Sequence, residues 1–192
     1  MSPRTEEQNR AIREETRQQI IDAAFALFAS DGYAKTSIAA IAKKAGISKG
    51  LIYHYFNSKQ EILEAIFDQL AQMGDEIMSF PEDFTPKDKI RKILDETFRF
   101  IATQSGLGKL MIGLALQPDA FATIKPKIDE INKVQTELFA SIMGELGYPQ
   151  PKLEAYELGA LMDGILMAYV AMGDDYPLKE IKQKVMEKYV GS

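Results

Sequence analysis

Apolar residues return three and four positions apart along almost the whole chain, and no stretch alternates with period two for long enough to make a strand. That spacing gathers hydrophobic groups on one side of successive helices, so the expected fold class is all-α. The stripes are Ile20, Ala24, Leu27 and Phe28 in a first helix starting near Thr16, then Ile38, Ile41, Ala42 and Ala45 in a second. Leu51, Ile52 and Phe56 mark a third; Ile62, Leu63, Ile66, Phe67 and Leu70 mark a fourth. Gly32 and Gly46 stand where helices have to stop, because glycine takes positive φ at little cost. Ser48 and Ser58 offer an acceptor oxygen to the next helix start, and Glu61, three after Ser58, has capping-box spacing.

The segment Phe80-Pro-Glu-Asp-Phe-Thr-Pro interrupts this pattern and reads as a linker. Further helices are expected over about 86–104, 107–117, 119–146, 151–173 and 177–190. Pro126 falls inside the third of these and predicts a kink or a fresh start there. The expected organisation is a flexible tail over 1–15, a three-helix head over 16–60 and a larger helical body over 61–192, about nine helices in all.

Composition narrows the partners. With 46% hydrophobic residues the chain can bury a core. No uninterrupted apolar run reaches the roughly 18 residues that cross a bilayer, so no membrane span is expected. The polar start argues against a secretory signal. Cysteine is absent, which removes disulfides and thiolate metal sites and fits a reducing cytoplasm. The net charge is −5, yet the chain through Lys59 carries +3 and the remainder −8. A basic head on an acidic body suits a protein of which only the head meets phosphate, although surface charge also varies by chance.

Residues 34–59 concentrate the chemistry. Two short helices meet at a tight turn around Gly46, and the second carries Ser48, Lys49, Tyr53, Tyr55 and the only histidine, His54. That is the layout of a helix-turn-helix whose second helix enters the major groove of DNA. The order Gly32-Tyr33, Thr36-Ser37, Ile41 to Gly50, Ile52 to Phe56 and Lys59 resembles the TetR/AcrR family of transcriptional regulators over roughly residues 16–70. The resemblance implies a reading head on an effector-binding body that dimerises through its last two helices.

Thr36, Ser37 and Ser48 stand at helix starts, where unpaired N–H groups and the helix dipole favour an anion. They are N-caps, and by resemblance also phosphate contacts. Lys49 at the entry of the recognition helix is placed for guanine acceptors or for a phosphate. Gly50 permits close approach without offering a donor. Leu51 meets a thymine methyl if it faces outward and joins the core if it faces inward. The resemblance carries phosphate contact to Tyr53, His54, Tyr55 and Lys59. The direct code is sparse, which leaves a share of specificity to operator deformability. Arg4, Arg10, Arg13 and Arg17 in or near the tail suggest an arm for the minor groove. Four acids, Glu6, Glu7, Glu14 and Glu15, match them, and a solvated tail is the favoured reading.

In the body, 153–173 is nearly apolar all round and needs covering on most sides. Ala160, Gly164, Ala168 and Ala171 are small and suited to close helix contact. Together with Ile181 and Val185 they form the expected homodimer seam, an assignment owed chiefly to the resemblance. Phe98, Met111, Phe121, Phe139, Met143, Met162 and Tyr169 are the expected walls of an effector pocket, although core packing explains each as well. The resulting function is a dimeric repressor of a pseudo-palindromic double-stranded operator, released by a small apolar or amphipathic effector. The alternative is a module of the same fold whose body binds another protein. No phosphate loop, dinucleotide fingerprint or metal-ligand spacing is present, so neither an enzyme, a cofactor nor a metal is expected.

Overall fold

The computed structural model describes residues 5–191, the Ser105 side chain excepted. Among these residues there are nine α-helices and no strand. They are α1 (Glu6–Asp31), α2 (Ile38–Ala45), α3 (Lys49–Ile52), α4 (Lys59–Ile77), α5 (Pro86–Thr103), α6 (Ser105–Ala115), α7 (Pro118–Glu145), α8 (Pro151–Met172) and α9 (Leu178–Tyr189). A single 3₁₀ turn, Gly173–Asp175, follows α8.

Two expectations are corrected at once. α1 starts at Glu6, not near Thr16, so residues from Thr5 onward are not a tail. The cause is local: Thr5 Oγ1 accepts from the Gln8 amide at 3.2 Å while Gln8 Oε1 accepts from the Thr5 amide at 3.0 Å, a reciprocal capping box. Arg4 lies outside the described residues. The second correction concerns α7, which continues through Pro126, so of the two expected outcomes the fresh start is set aside. Proline there leaves the Ala122 carbonyl without its helical donor, but both positions are exposed and water can serve it.

The chain divides into two compact units. The first runs through Gln69 and also takes in Lys109–Lys125, so it extends well past the expected head boundary at residue 60. Its core is built by Ile20, Ala24 and Phe28 of α1, Ile41 of α2, Ile52 of α3, Phe56, and Ile62, Leu63 and Ile66 of α4, all 3% exposed or less. These come from the apolar stripes of the sequence, of which Leu27, Ile38, Ala45, Leu51 and Leu70 are only half-buried. Burying side chains of this size yields about 1.5–3 kcal/mol each against leaving them in water.

The second unit comprises Leu70–Gly108 and the chain from Pro126 onward. α5 contributes Ile90, Ile93, Leu94, Phe98 and Ile101 to its core, which meet Ile142 and Met143 of α7, Leu158 and Ile165 of α8, and Val185 and Tyr189 of α9. A Cβ on Gly108 would stand 2.5 Å from Val170 Cγ2, so glycine is needed where α6 passes α8. Surface pairs such as Lys182–Asp95 at 2.6 Å and Lys89–Glu145 at 3.3 Å add little in water.

α8 keeps an apolar face in the open. Leu153 and Tyr156 on that face are 60% and 57% exposed, and Met172, at the end of the helix and on another side, is 52% exposed. The segment Pro151–Asp175 is long and apolar enough to cross a membrane by length and composition, with mean hydropathy 1.3 and only 17% of that window buried. The expectation of no uninterrupted apolar run of that length still holds, because the two criteria differ. An uninterrupted run is broken by Glu154, Glu157 and Asp163, whereas an average over 18 residues absorbs one or two charges.

Candidate nucleic-acid interface

The turn between α2 and α3 is closed by Gly46 at φ 70, ψ 24, whose N–H reaches the carbonyls of Ala42 and Lys43. Any other L-residue would strain in this left-handed conformation. Ile47 N–H bonds Ala42 O at 3.0 Å and completes the end of α2. Ser37 Oγ then accepts from the Ala40 amide at 3.1 Å, and Ser48 Oγ from the Leu51 amide at 3.2 Å. Both serines are exposed N-caps with their hydroxyl protons still free to donate outward.

α-Helical bonding in the recognition element covers only Lys49–Ile52. It continues as tighter turns: His54 N–H bonds Leu51 O at 3.1 Å and Tyr55 N–H bonds Ile52 O at 2.9 Å. Tyr53 to Tyr55 are therefore on turns, not on the α-helix proper. Ile52 and Phe56 anchor the element inward. Lys49, Gly50, Tyr53 and His54 are exposed, Tyr53 to 49%; Leu51 and Tyr55 are half-buried. Lys43 and Lys44 add exposed positive charge at the end of α2.

Two expected phosphate contacts are engaged elsewhere. Thr36 is only 4% exposed, and its hydroxyl donates to Gly32 O at 2.9 Å. It is tied into the loop, while Ser37 does the capping. Lys59 Nζ donates to Tyr33 O at 2.7 Å, Thr36 O at 2.9 Å and Ala34 O at 3.3 Å. It also stands 4.3 Å from the Tyr33 ring centroid. Its three donors are thus spent on the loop before α2, and burial lowers its pKa from the ordinary lysine value. Lys59 positions the start of α2 instead of reaching outward.

The structure also collects residues that the sequence spread apart. Arg10, Arg13 and Arg17 of α1 line an open groove of about 400 Å³ together with His54 and Tyr55. The Arg17 guanidinium lies 5.2 Å from the Phe56 ring centroid. The spacing i, i+3, i+7 puts the three arginines on one face once Thr5 and Gln8 are read as a capping box. Gln117 Oε1 accepts from Ala34 N–H at 3.1 Å while its Nε2 donates to Gly113 O at 2.8 Å. It ties the loop before α2 to the end of α6 within the first unit.

The expected pocket residues do not form one set. Phe98 and Met143 are core, 3% and 0% exposed, with Phe139, Met162 and Tyr169 half-buried against them. Met111 and Phe121 fall in the first unit. A concavity of about 340 Å³ in the second unit is lined instead by residues such as Met73, Ile77, Lys92, Arg99, Phe100 and Gln104. Of the expected seam, Ala160, Gly164 and Ala171 are exposed and Ala168 and Ile181 half-buried. Val185, also expected there, is 5% exposed and belongs to the core of the second unit instead.

A tight glycine turn, two serine-capped helix starts and an outward lysine, tyrosine and histidine define a helix-turn-helix DNA-binding regulator. The comparisons agree. Residues 20–66 match the family described as bacterial regulatory proteins, tetR family. The chain is 30% identical over 183 residues to the HTH-type transcriptional regulator BetI of Proteus mirabilis (strain HI4320), covering 91% of this chain and 89% of that one. It is 33% identical over 131 residues, 66% of each chain, to the fatty acid metabolism regulator protein of Bacillus subtilis (strain 168). The structure of FadR from Bacillus subtilis in complex with stearoyl-CoA aligns with TM-score 0.72 at 27% identity, over 91% of this chain and 98% of that one. The chain belongs to the TetR family of transcriptional regulators. Its relatives are regulators, not enzymes.

Proposed function

We propose that this protein is a cytoplasmic repressor that grips a pseudo-palindromic operator as a homodimer and leaves it when a small amphipathic effector enters the body. The observation that carries this reading is the exposed group Ser37, Ser48, Lys49, Gly50, Tyr53 and His54 gathered around the Gly46 turn. Ser37, Ser48, Tyr53 and His54 hold phosphates, Lys49 enters the major groove, and Gly50 lets the backbone come close. Leu51 and Tyr55, half-buried, contribute at the edge of the contact.

The second copy is supported by α8. Leu153, Tyr156, Ala160, Gly164 and Ala171 fall within one narrow stripe at helical spacing, apolar and open. Small side chains in its middle permit close helix packing. Glu154, Glu157 and Asp163 on the same helix favour a protein partner over lipid, since charges at membrane depth are costly. The open residues of α9, Lys179, Glu180, Gln183, Lys184, Glu187 and Lys188, are polar, so α8 carries most of the seam.

The effector is proposed to be a long-chain acyl thioester, the class named for the Bacillus subtilis relative's complex. Phe139, Met162 and Tyr169, half-buried beside the core of the second unit, supply flexible and aromatic apolar surface for it. Stearoyl-CoA titrated against the protein bound to a duplex it selects from a randomised pool tests the coupling. Acyl-CoA should weaken duplex binding, and the duplex should weaken acyl-CoA binding by the same factor. Duplex affinity indifferent to saturating stearoyl-CoA would reject this effector class.

A further inference from the structure

The geometry points to a second anion-binding surface on the head: the groove between α1 and the turn after α3 holds the sugar-phosphate backbone of operator DNA flanking the bases read by α3. This inference rests on the DNA-binding reading above and extends the contact to the amino-terminal turns of α1.

Arg10, Arg13 and Arg17 line the groove from α1, and His54 and Tyr55 line it from the other side. Tyr53 and His54 are themselves exposed, so the groove is continuous with the proposed interface. Among the described residues neither Arg10 nor Arg13 is held by an ion pair, and both are exposed. Arg17 is half-buried over Phe56, fixed at the inner end. Guanidinium is the side chain that pairs bidentately with phosphate.

The four acids that seemed to cancel these arginines in the sequence are separated by the helix. Glu6 and Glu14 reach the groove, but Glu7 and Glu15 do not line it. Three guanidinium groups therefore face two carboxylates, next to an imidazole that can add a further donor. The capping box at Thr5 and Gln8 makes this face an ordered helix, so the arginines are presented together with less entropy to lose than on a loose arm.

The test uses the full chain and its selected duplex in two lengths, one trimmed to the recognised bases and one with flanking base pairs. Circular dichroism checks that the double variant R10A/R13A is folded. On the long duplex it should bind roughly tenfold to a hundredfold more weakly than wild type, about three- to tenfold per guanidinium. Its slope of log K against log salt should be shallower by about two, near 0.9 per phosphate. Trimming the flanks should cost the wild type a similar factor and the variant almost nothing, while R10K/R13K should keep the slope. A folded R10A/R13A with wild-type affinity and slope overturns the inference, as does an equal loss on both lengths. If the wild type itself selects no duplex, the DNA-binding reading fails first and this one falls with it.

Discussion

Lys59 sits with its ammonium 4.3 Å from the centroid of the Tyr33 ring while donating to the Tyr33 carbonyl at 2.7 Å. Two positions 26 apart are thus locked to each other, and with them the loop that delivers Ser37 to the start of α2. The ring of Tyr33 in turn packs edge-on against Phe28 at 5.0 Å. The head is held to shape at a place that never touches DNA in this account.

Lys59→Met should therefore lower stability by about 2 kcal/mol, because carbonyls that had a charged donor lose it. Urea unfolding measures this. If Lys59 were chiefly a phosphate contact, stability would stay at the wild-type value and the salt slope of DNA binding would fall instead.

Tyr53→Phe and Lys49→Ala should separate positioning from reading. The first removes one exposed hydroxyl and should weaken all duplexes alike by about 0.5–1.5 kcal/mol. The second should alter which duplexes are preferred, as seen by repeating the selection with the variant. An unchanged preference with uniform weakening would make Lys49 a phosphate clamp.

Gly164→Arg places a long cation in the middle of the open apolar stripe of α8. Native mass spectrometry should then show monomer where the wild type shows dimer, and affinity for a two-half-site duplex should fall while the fold survives. A dimer that persists in Gly164→Arg would move the seam off this helix.

Asp88 gives a pH signature to α5. The Thr85 hydroxyl, 2.5 Å away, and the Thr85 amide hold its carboxyl below the ordinary value of 3.8. A carboxylate with a depressed folded pKa stabilises fully above its unfolded value, and that contribution is lost as pH falls through the depressed one. Asp88→Asn should thus be less stable than wild type at neutral pH, with the gap closing as pH falls below the ordinary carboxylate value. A gap that is constant with pH would assign the effect to capping geometry alone.

Helical periodicity made most of the fold legible, since most residues of the stripes from Ile20 to Phe67 close the core of the first unit, while Leu27, Ile38, Ala45 and Leu51 are half-buried at its edge. The glycine turn at Gly46 and the caps Ser37 and Ser48 were equally readable, being local. What escaped was long-range. Nothing near Thr36 or Lys59 in sequence reveals that their donors go to carbonyls of residues 27–36. Val185 has the spacing of a seam residue and equally that of a core residue; only packing decides. The start of α1 was within reach, because Thr5 and Gln8 carry capping-box spacing, but charges between them resemble a tail. Met111 and Phe121 show the same limit, since apolar character does not say which of two cores a helix joins.

The measurement that bears most directly on the DNA-binding face is a fluorescence anisotropy titration of the selected duplex and of a base-scrambled duplex over a range of salt. The account predicts tighter binding to the selected duplex, affinity that falls steeply and linearly in log salt, and a preference that narrows in Lys49→Ala. Equal affinity for the two duplexes, or no binding to either in dilute buffer, would contradict it.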